Sequence, residues 1–159
     1  MASRAKAYTP APRKFSLTGK RIGITVSQWH TDITEPLLQG ALAVLKKGGI
    51  KDKDIIIIQS PGSFELPLTA QWLINQSDAD AVLCLGCIIK GETPHFDYIS
   101  NAVANGVMNV GLAHNIPVIF GVLTTNTVQQ AKERSGGKHG NKGAEAATAA
   151  LELLEIKKR

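Results

Sequence analysis

Four short apolar runs, separated by amphipathic stretches of helix length, confine this chain to a layered α/β architecture. Arg21 to Ser27, Asp54 to Ser60, Ala81 to Ile89 and Pro117 to Leu123 are apolar through their centres and do not alternate with polar residues. Continuous runs of this kind belong to strands covered on both faces, as in parallel sheets. Between the first two, Ile33, Leu37, Leu38, Ala41, Leu42 and Leu45 recur at helical spacing, with Pro36 in the first turn and Gly48-Gly49 as the stop. Phe64 to Ile74 reads as a second helix, followed by the polar stretch Asn75 to Asp80. Phe96, Ile99, Val103, Gly106, Val107 and Val110 form one face of a third. After the fourth run, Val128 to Arg134 predicts a short helix, SGGKHGNKG a break, and Ala144 to Ile156 a longer helix.

Strands alternating with helices imply right-handed crossovers and a three-layer, flavodoxin-like sandwich around a four-stranded parallel sheet. The 159 residues suit one such domain. Its expected body is residues 17–159, behind a flexible basic arm at residues 1–16. No apolar run approaches the roughly 20 residues that span a bilayer, so no membrane partner is expected. The arm has no apolar core of the secretory type, Pro10 and Pro12 favour extended backbone, and a cytoplasmic location is expected.

The net charge of +5 is concentrated in that arm. Arg4, Lys6, Arg13, Lys14, Lys20 and Arg21 precede the first acidic residue; removing these six from the 18 Lys and Arg leaves 12 against 13 acids. A body so balanced lacks the basic, aromatic-interleaved stripe of a nucleic-acid binder. Cys84 and Cys87 form CLGC, a spacing shared with redox motifs. A redox pair opens a helix, however, and here positions i and i+3 of a strand point to opposite faces, so two reduced core thiols are expected.

Ligands of open parallel sheets gather beyond the carboxyl ends of the strands. The first end carries SQWHTDIT, where Trp29 suits stacking on a planar heterocycle or covers the sheet edge, and His30 faces the same ligand or solvent. The second carries SPGSFELP. Ser63 there begins a helix whose free amides and hydroxyl suit polyol or carboxamide oxygens, with Glu65 as a further acceptor; a plain helix cap explains the same residues. The third end carries KGETPH, with Thr93 expected as N-cap and Pro94 at the first helical position. Gly91 permits close backbone approach, and the free amides with the Thr93 hydroxyl suit an anion, phosphate above all. The Glu92 side chain is expected to point away, leaving only its amide. His95, at the positive end of the helix dipole, suits proton transfer near neutral pH. After the fourth strand, Arg134 suits a bidentate phosphate contact, with Lys138 and Lys142 adding charge among glycines, although a cationic helix end followed by a glycine-rich connection fits as well.

Taken in order, SQWHTDIT, PGSFELP, LGCIIKGETPHFDYIS, PVIFGVLTTNT and QAKERSGGKHGNKGAEAA resemble the lumazine synthase family, and the resemblance runs from Leu17 to Leu154. It implies a transferase of riboflavin biosynthesis. The family condenses 5-amino-6-(D-ribitylamino)uracil with 3,4-dihydroxy-2-butanone 4-phosphate, giving 6,7-dimethyl-8-ribityllumazine, phosphate and water, without metal or organic cofactor. By motif, the resemblance assigns Trp29 to the pyrimidine ring, Ser63, Glu65 and the Phe64 backbone to the ribityl chain, and Ile88 and Ile89 to backbone contacts with the ring. It assigns Gly91, Glu92 and Thr93 to the phosphate loop, Arg134 to its cationic clamp with Glu145 as that arginine's acid, and His95 to proton transfer. Phe120 and Lys142 match positions that enter the site from a neighbouring subunit. The resemblance further implies pentamers with sites between subunits and an icosahedral assembly of them, in which the N-terminal segment adds to a neighbour's sheet. Pro10 and Pro12, which cannot donate to a ladder, restrict that pairing to Phe15 to Thr18. Riboflavin synthase is the implied protein partner. A non-catalytic flavin or lumazine binder, or a shell protein whose function is assembly, would use the same scaffold.

Overall fold

The computed structural model describes residues 14–158. Four parallel strands, β1 (Ile22–Ser27), β2 (Ile55–Ser60), β3 (Ala81–Ile89) and β4 (Val118–Thr125), form a sheet in the order β2-β1-β3-β4. The four-stranded, helix-covered sandwich expected from the apolar runs is therefore present. β1 is buried at every residue, as a central strand covered on both faces must be, whereas β2 at one edge is only half-buried along most of its length.

Helices α1 (Thr31–Lys47) and α5 (Lys142–Lys157) cover one face, and α2 (Leu66–Ser77) and α3 (His95–His114) the other. A short α4 (Val128–Arg134) joins β4 to a two-stranded ribbon, β5 (Ser135–Gly137) and β6 (Gly140–Asn141). The first core layer gathers Ile33, Leu37, Ala41 and Leu45 of α1 with Ala147, Leu151 and Leu154 of α5. The second gathers Leu66, Ala70 and Leu73 of α2 with Val103, Val107 and Val110 of α3. Each fully buried Leu or Ile contributes roughly 1.5–3 kcal/mol.

Several boundaries differ from the sequence expectation. The segment from Ser63 to Glu65 is a 3-10 turn, and α-helix begins only at Leu66. Pro67 explains this, because a proline ring clashes with the carbonyl four residues earlier in α geometry, here that of Ser63. The same helix continues past Ile74 to Ser77 and stops where Asp78 turns left-handed (φ 51°). β4 begins after Pro117, whose carbonyl still accepts from Val82 N at 2.9 Å, and runs on to pair Thr124 and Thr125 with Ile88 and Ile89. The glycine-rich break folds as the β5–β6 ribbon, with Gly136 and Gly140 at positive φ. Of the arm, residues 1–13 lie outside the described residues; Phe15 packs against the first core layer and Ser16 N donates to Glu155 Oε1 at 2.9 Å.

Cys84 and Cys87 sit on opposite faces of β3, one in each core layer, unpaired and buried. Burial pushes both thiols up from 9.0 to about 12, with the Asp32 carboxylate adding to the effect on Cys87. Cys84, which is fully buried, should not react with a thiol reagent at pH 8 until the protein unfolds. The linked effect on stability has a definite sign. The unfolded chain loses these protons from pH 9.0 upward while the folded chain keeps them to about 12, so their contribution is full below 9.0 and is lost across that window. Replacing both cysteines by alanine should flatten the alkaline fall in stability, as read by denaturant titration at a series of pH values.

Candidate active site

In this order the progression of strands across the parallel sheet reverses between β1 and β3, which opens a crevice at their carboxyl ends. A cavity of about 530 Å³ lies there, within the range of small-ligand sites. Three strand ends build it.

From β1 come Trp29 and His30. Gln28 N is held by the Ser60 carbonyl (2.9 Å) and Trp29 N by Ser27 Oγ (3.2 Å), which fixes the loop between two strands. His30 adopts left-handed backbone (φ 58°) and its carbonyl accepts from Ile33 N and Thr34 N, starting α1. The two rings meet edge to face at 6.4 Å, so the imidazole does not cover the indole. Trp29 is 69% exposed while lining the cavity, which leaves its indole face accessible.

From β2 comes the turn Pro61 to Glu65, all of which lines the cavity. Ser63 is 7% exposed, yet its Oγ has no hydrogen-bond partner among the described residues. A buried hydroxyl left so costs about 1–3 kcal/mol, a deficit that a ligand oxygen can remove.

From β3 come Ile88, Ile89, Gly91, Thr93 and His95. A Cβ placed on Gly91 would meet nothing within 4 Å, so the chain itself does not require glycine there; an occupant of the cavity can. Thr93 is not the N-cap. Pro94 takes that position with helical backbone (φ −63°, ψ −3°), its carbonyl accepting from Asp97 N at 2.9 Å in a tight first turn. Thr93 Oγ1 is consequently 3.5 Å from His95 N, a long contact that leaves the hydroxyl open to a ligand. His95 is the first residue of α3 and is exposed. Glu92 is exposed and is not among the lining residues.

Cys87, Phe96 and Ile99 also line the cavity, and none was expected there. Phe96 and Ile99 carry the apolar signal of a core face, and only their place one and four residues after His95, on the same turns, marks them as site residues. Cys87 shows its position solely as the neighbour of Ile88.

The cavity of one chain has a single carboxylate, Glu65, two imidazoles, and no Lys or Arg in its lining. Arg134, Phe120, Lys142 and Glu145 lie elsewhere. Arg134 ends α4, and its Nη1 donates to the Gln130 carbonyl at 3.0 Å. Lys142 pairs with Glu145 at 2.5 Å within the first turn of α5, so that acid bonds the lysine and not the arginine. Phe120, on edge strand β4, is 37% exposed. Among the described residues, no group of three or more His, Cys, Asp or Glu could hold a metal ion.

The family profile of 6,7-dimethyl-8-ribityllumazine synthase matches residues 19–158, which includes all three walls of the cavity. The chain belongs to the lumazine synthase family. Similar proteins of that name occur in Cytophaga hutchinsonii, 55% identical over 139 residues covering 87% of each chain, and in Phocaeicola vulgatus, 47% identical over 139 residues covering 87% of this chain and 83% of that one. A third, from Protochlamydia amoebophila, is 46% identical over 143 residues, covering 90% and 83%. Membership places the chain among the transferases of riboflavin biosynthesis. Among the described residues, no helix is long and apolar enough to cross a membrane.

Proposed function

We propose that this chain condenses 5-amino-6-(D-ribitylamino)uracil with 3,4-dihydroxy-2-butanone 4-phosphate, giving 6,7-dimethyl-8-ribityllumazine, phosphate and water. The observation that carries the reading is the convergence in one cavity of an open indole face, a buried hydroxyl without a partner and a histidine at a helix N-terminus. Trp29 stacks on the pyrimidine ring, with His30 beside it. Ser63, the Phe64 backbone and Glu65 receive the ribityl hydroxyls, and the backbone at Ile88 and Ile89 addresses the ring edge. Gly91, the Glu92 amide and Thr93 hold the phosphate. His95 moves the protons required as the amine condenses with the ketone, phosphate departs and the ring closes with loss of water.

A phosphate site whose lining lacks Lys and Arg is incomplete in one chain, which supports a composite site. In this reading Arg134 serves as the phosphate clamp, and Phe120 and Lys142 enter from a neighbouring subunit. Exposed apolar side chains support self-association: Leu68 and Trp72 on α2, with Tyr98, Met108 and Leu112 on α3. We infer pentamers, twelve of which form a hollow icosahedral shell in the cytoplasm, with riboflavin synthase as partner; light scattering separates a free pentamer from a shell.

Incubation with both substrates should release phosphate and produce lumazine fluorescence. Absence of both would sink the reading, and tight lumazine binding without turnover would point to a non-catalytic binder. Arg134→Ala should raise KM for the phosphate-bearing substrate by about 10-fold or more, the scale of a lost charge-assisted hydrogen bond. An unchanged KM would remove the clamp role.

A further inference from the structure

Thr25 is a polar residue in the middle of a buried strand. It is fully buried, and its register partners are Ile58 and Cys84, both packed in the layer beneath α2 and α3. Its Oγ1 lies 2.7 Å from Oγ1 of Thr69, a residue of α2 that is itself 6% exposed. Thr69 Oγ1 in turn lies 3.2 Å from the Glu65 carbonyl and 3.1 Å from that of Leu66. A hydroxyl has one proton to donate. With the Thr69 proton directed to these carbonyls, Thr25 is the donor of the first bond, and a hydroxyl relay runs from the central strand to the turn that walls the cavity.

Two hydroxyls in an apolar layer add little net burial energy over two valines of the same shape. What they add is direction, because the Thr25–Thr69 bond survives only where α2 keeps its setting along β1, and the local bonds of Thr69 tie that setting to the Glu65 and Leu66 carbonyls. On its other side the same segment meets bare backbone of β3, where a Cβ on Gly86 would lie 2.6 Å from Ser63 Oγ and 3.0 Å from Leu66 Cδ1. The turn is thus seated between Gly86 and the relay.

We propose that Thr25 and Thr69, neither of which lines the cavity, are positioning residues that set the Ser63–Glu65 wall for the polyol-bearing substrate. The substrate assignment rests on the function proposed above; the seating of the wall does not. Two measurements on Thr25→Val keep these separate. Amide hydrogen exchange over residues 63–66 should accelerate by about 10-fold relative to the wild type. KM for the ribityl-bearing substrate should rise by about 10-fold, while KM for the phosphate-bearing substrate, held at Gly91 to Thr93, moves by less than about 2-fold. Thr25→Ser keeps the hydroxyl and should behave as the wild type in both. Thr69→Val and Thr69→Ser repeat the comparison from the helix side, so that poor folding of one variant leaves the other pair to decide. Unchanged exchange and KM in the valine variants with only a lower melting temperature would overturn the proposal, as would equal losses in the serine and valine variants. If the wild type turned over neither substrate, the assigned reaction would fall, and hydrogen exchange alone would still decide whether the relay seats the wall.

Discussion

Replacing His95 by alanine is expected to slow turnover by about 10- to 1,000-fold, the usual scale of acid–base assistance. The ring stands at the first position of α3 and lines the cavity, but it is exposed, so its removal should disturb the fold by no more than about 0.5 kcal/mol. KM for both substrates should move little, since the proposed function assigns the binding contacts to Trp29, the Ser63 turn and the Gly91 to Thr93 loop. His95→Gln separates two roles. An amide can hydrogen-bond but cannot exchange a proton near neutral pH, so this variant should be as slow as alanine if proton transfer is the function of the ring. Single-turnover formation of lumazine fluorescence reads the step directly. A rate within about 2-fold of the wild type in the alanine variant would leave His95 only a helix-start residue.

Gly143→Ala should lower the melting temperature by about 6–12 °C, corresponding to roughly 3 kcal/mol for a domain of this size. A Cβ at this position would lie 1.9 Å from the Leu37 carbonyl oxygen and 2.6 Å from its carbon, and both atoms are backbone. No rotamer change relieves such a contact; α1 and α5 must separate. Their separation would also break the joint made by Asn141, whose Nδ2 donates to the Pro36 carbonyl at 2.9 Å while its Oδ1 caps α5 at Ala144 N. By contrast, Gly49→Ala meets no neighbour within 4 Å and suffers only the strain of its positive φ, so it should cost less. Thermal denaturation of both variants checks the order. A melting temperature for Gly143→Ala within about 2 °C of the wild type would show that the helices are not held as closely as the geometry requires.

The strands were legible because a helix-covered sheet fills its strands mainly with apolar side chains, and four such runs stand out from Ile22 to Leu123. The short helix at Val128–Arg134 was legible in full. Helix starts were not: Ser63 and Thr93 are good capping residues, yet Pro67, the second residue of α2, and Pro94, immediately before α3, shift each start onward and leave both hydroxyls for other uses. Trp29, His30, Ser63, Glu65, Thr93 and His95 could be expected around one cavity because strand ends in a parallel sheet converge. Cys87, Phe96 and Ile99 could not, since a cavity floor and a packed core ask for the same apolar side chains. The relay from Thr25 was hidden for a related reason, as one threonine in a strand is ordinary until its partner is found 44 residues away.

The KGETPH turn illustrates the division. Sequence alone determined that a glycine, a hydroxyl and a histidine would follow a buried strand, because local chemistry and apolar patterning act over a few residues. Only the tertiary structure decided that Thr93 stays uncommitted, that His95 shares a cavity with Trp29 and Ser63, and that Arg134 does not line that cavity. These depend on strand order and on how closely helices approach, which arise from contacts between residues distant in the chain and leave no mark in any single stretch of it.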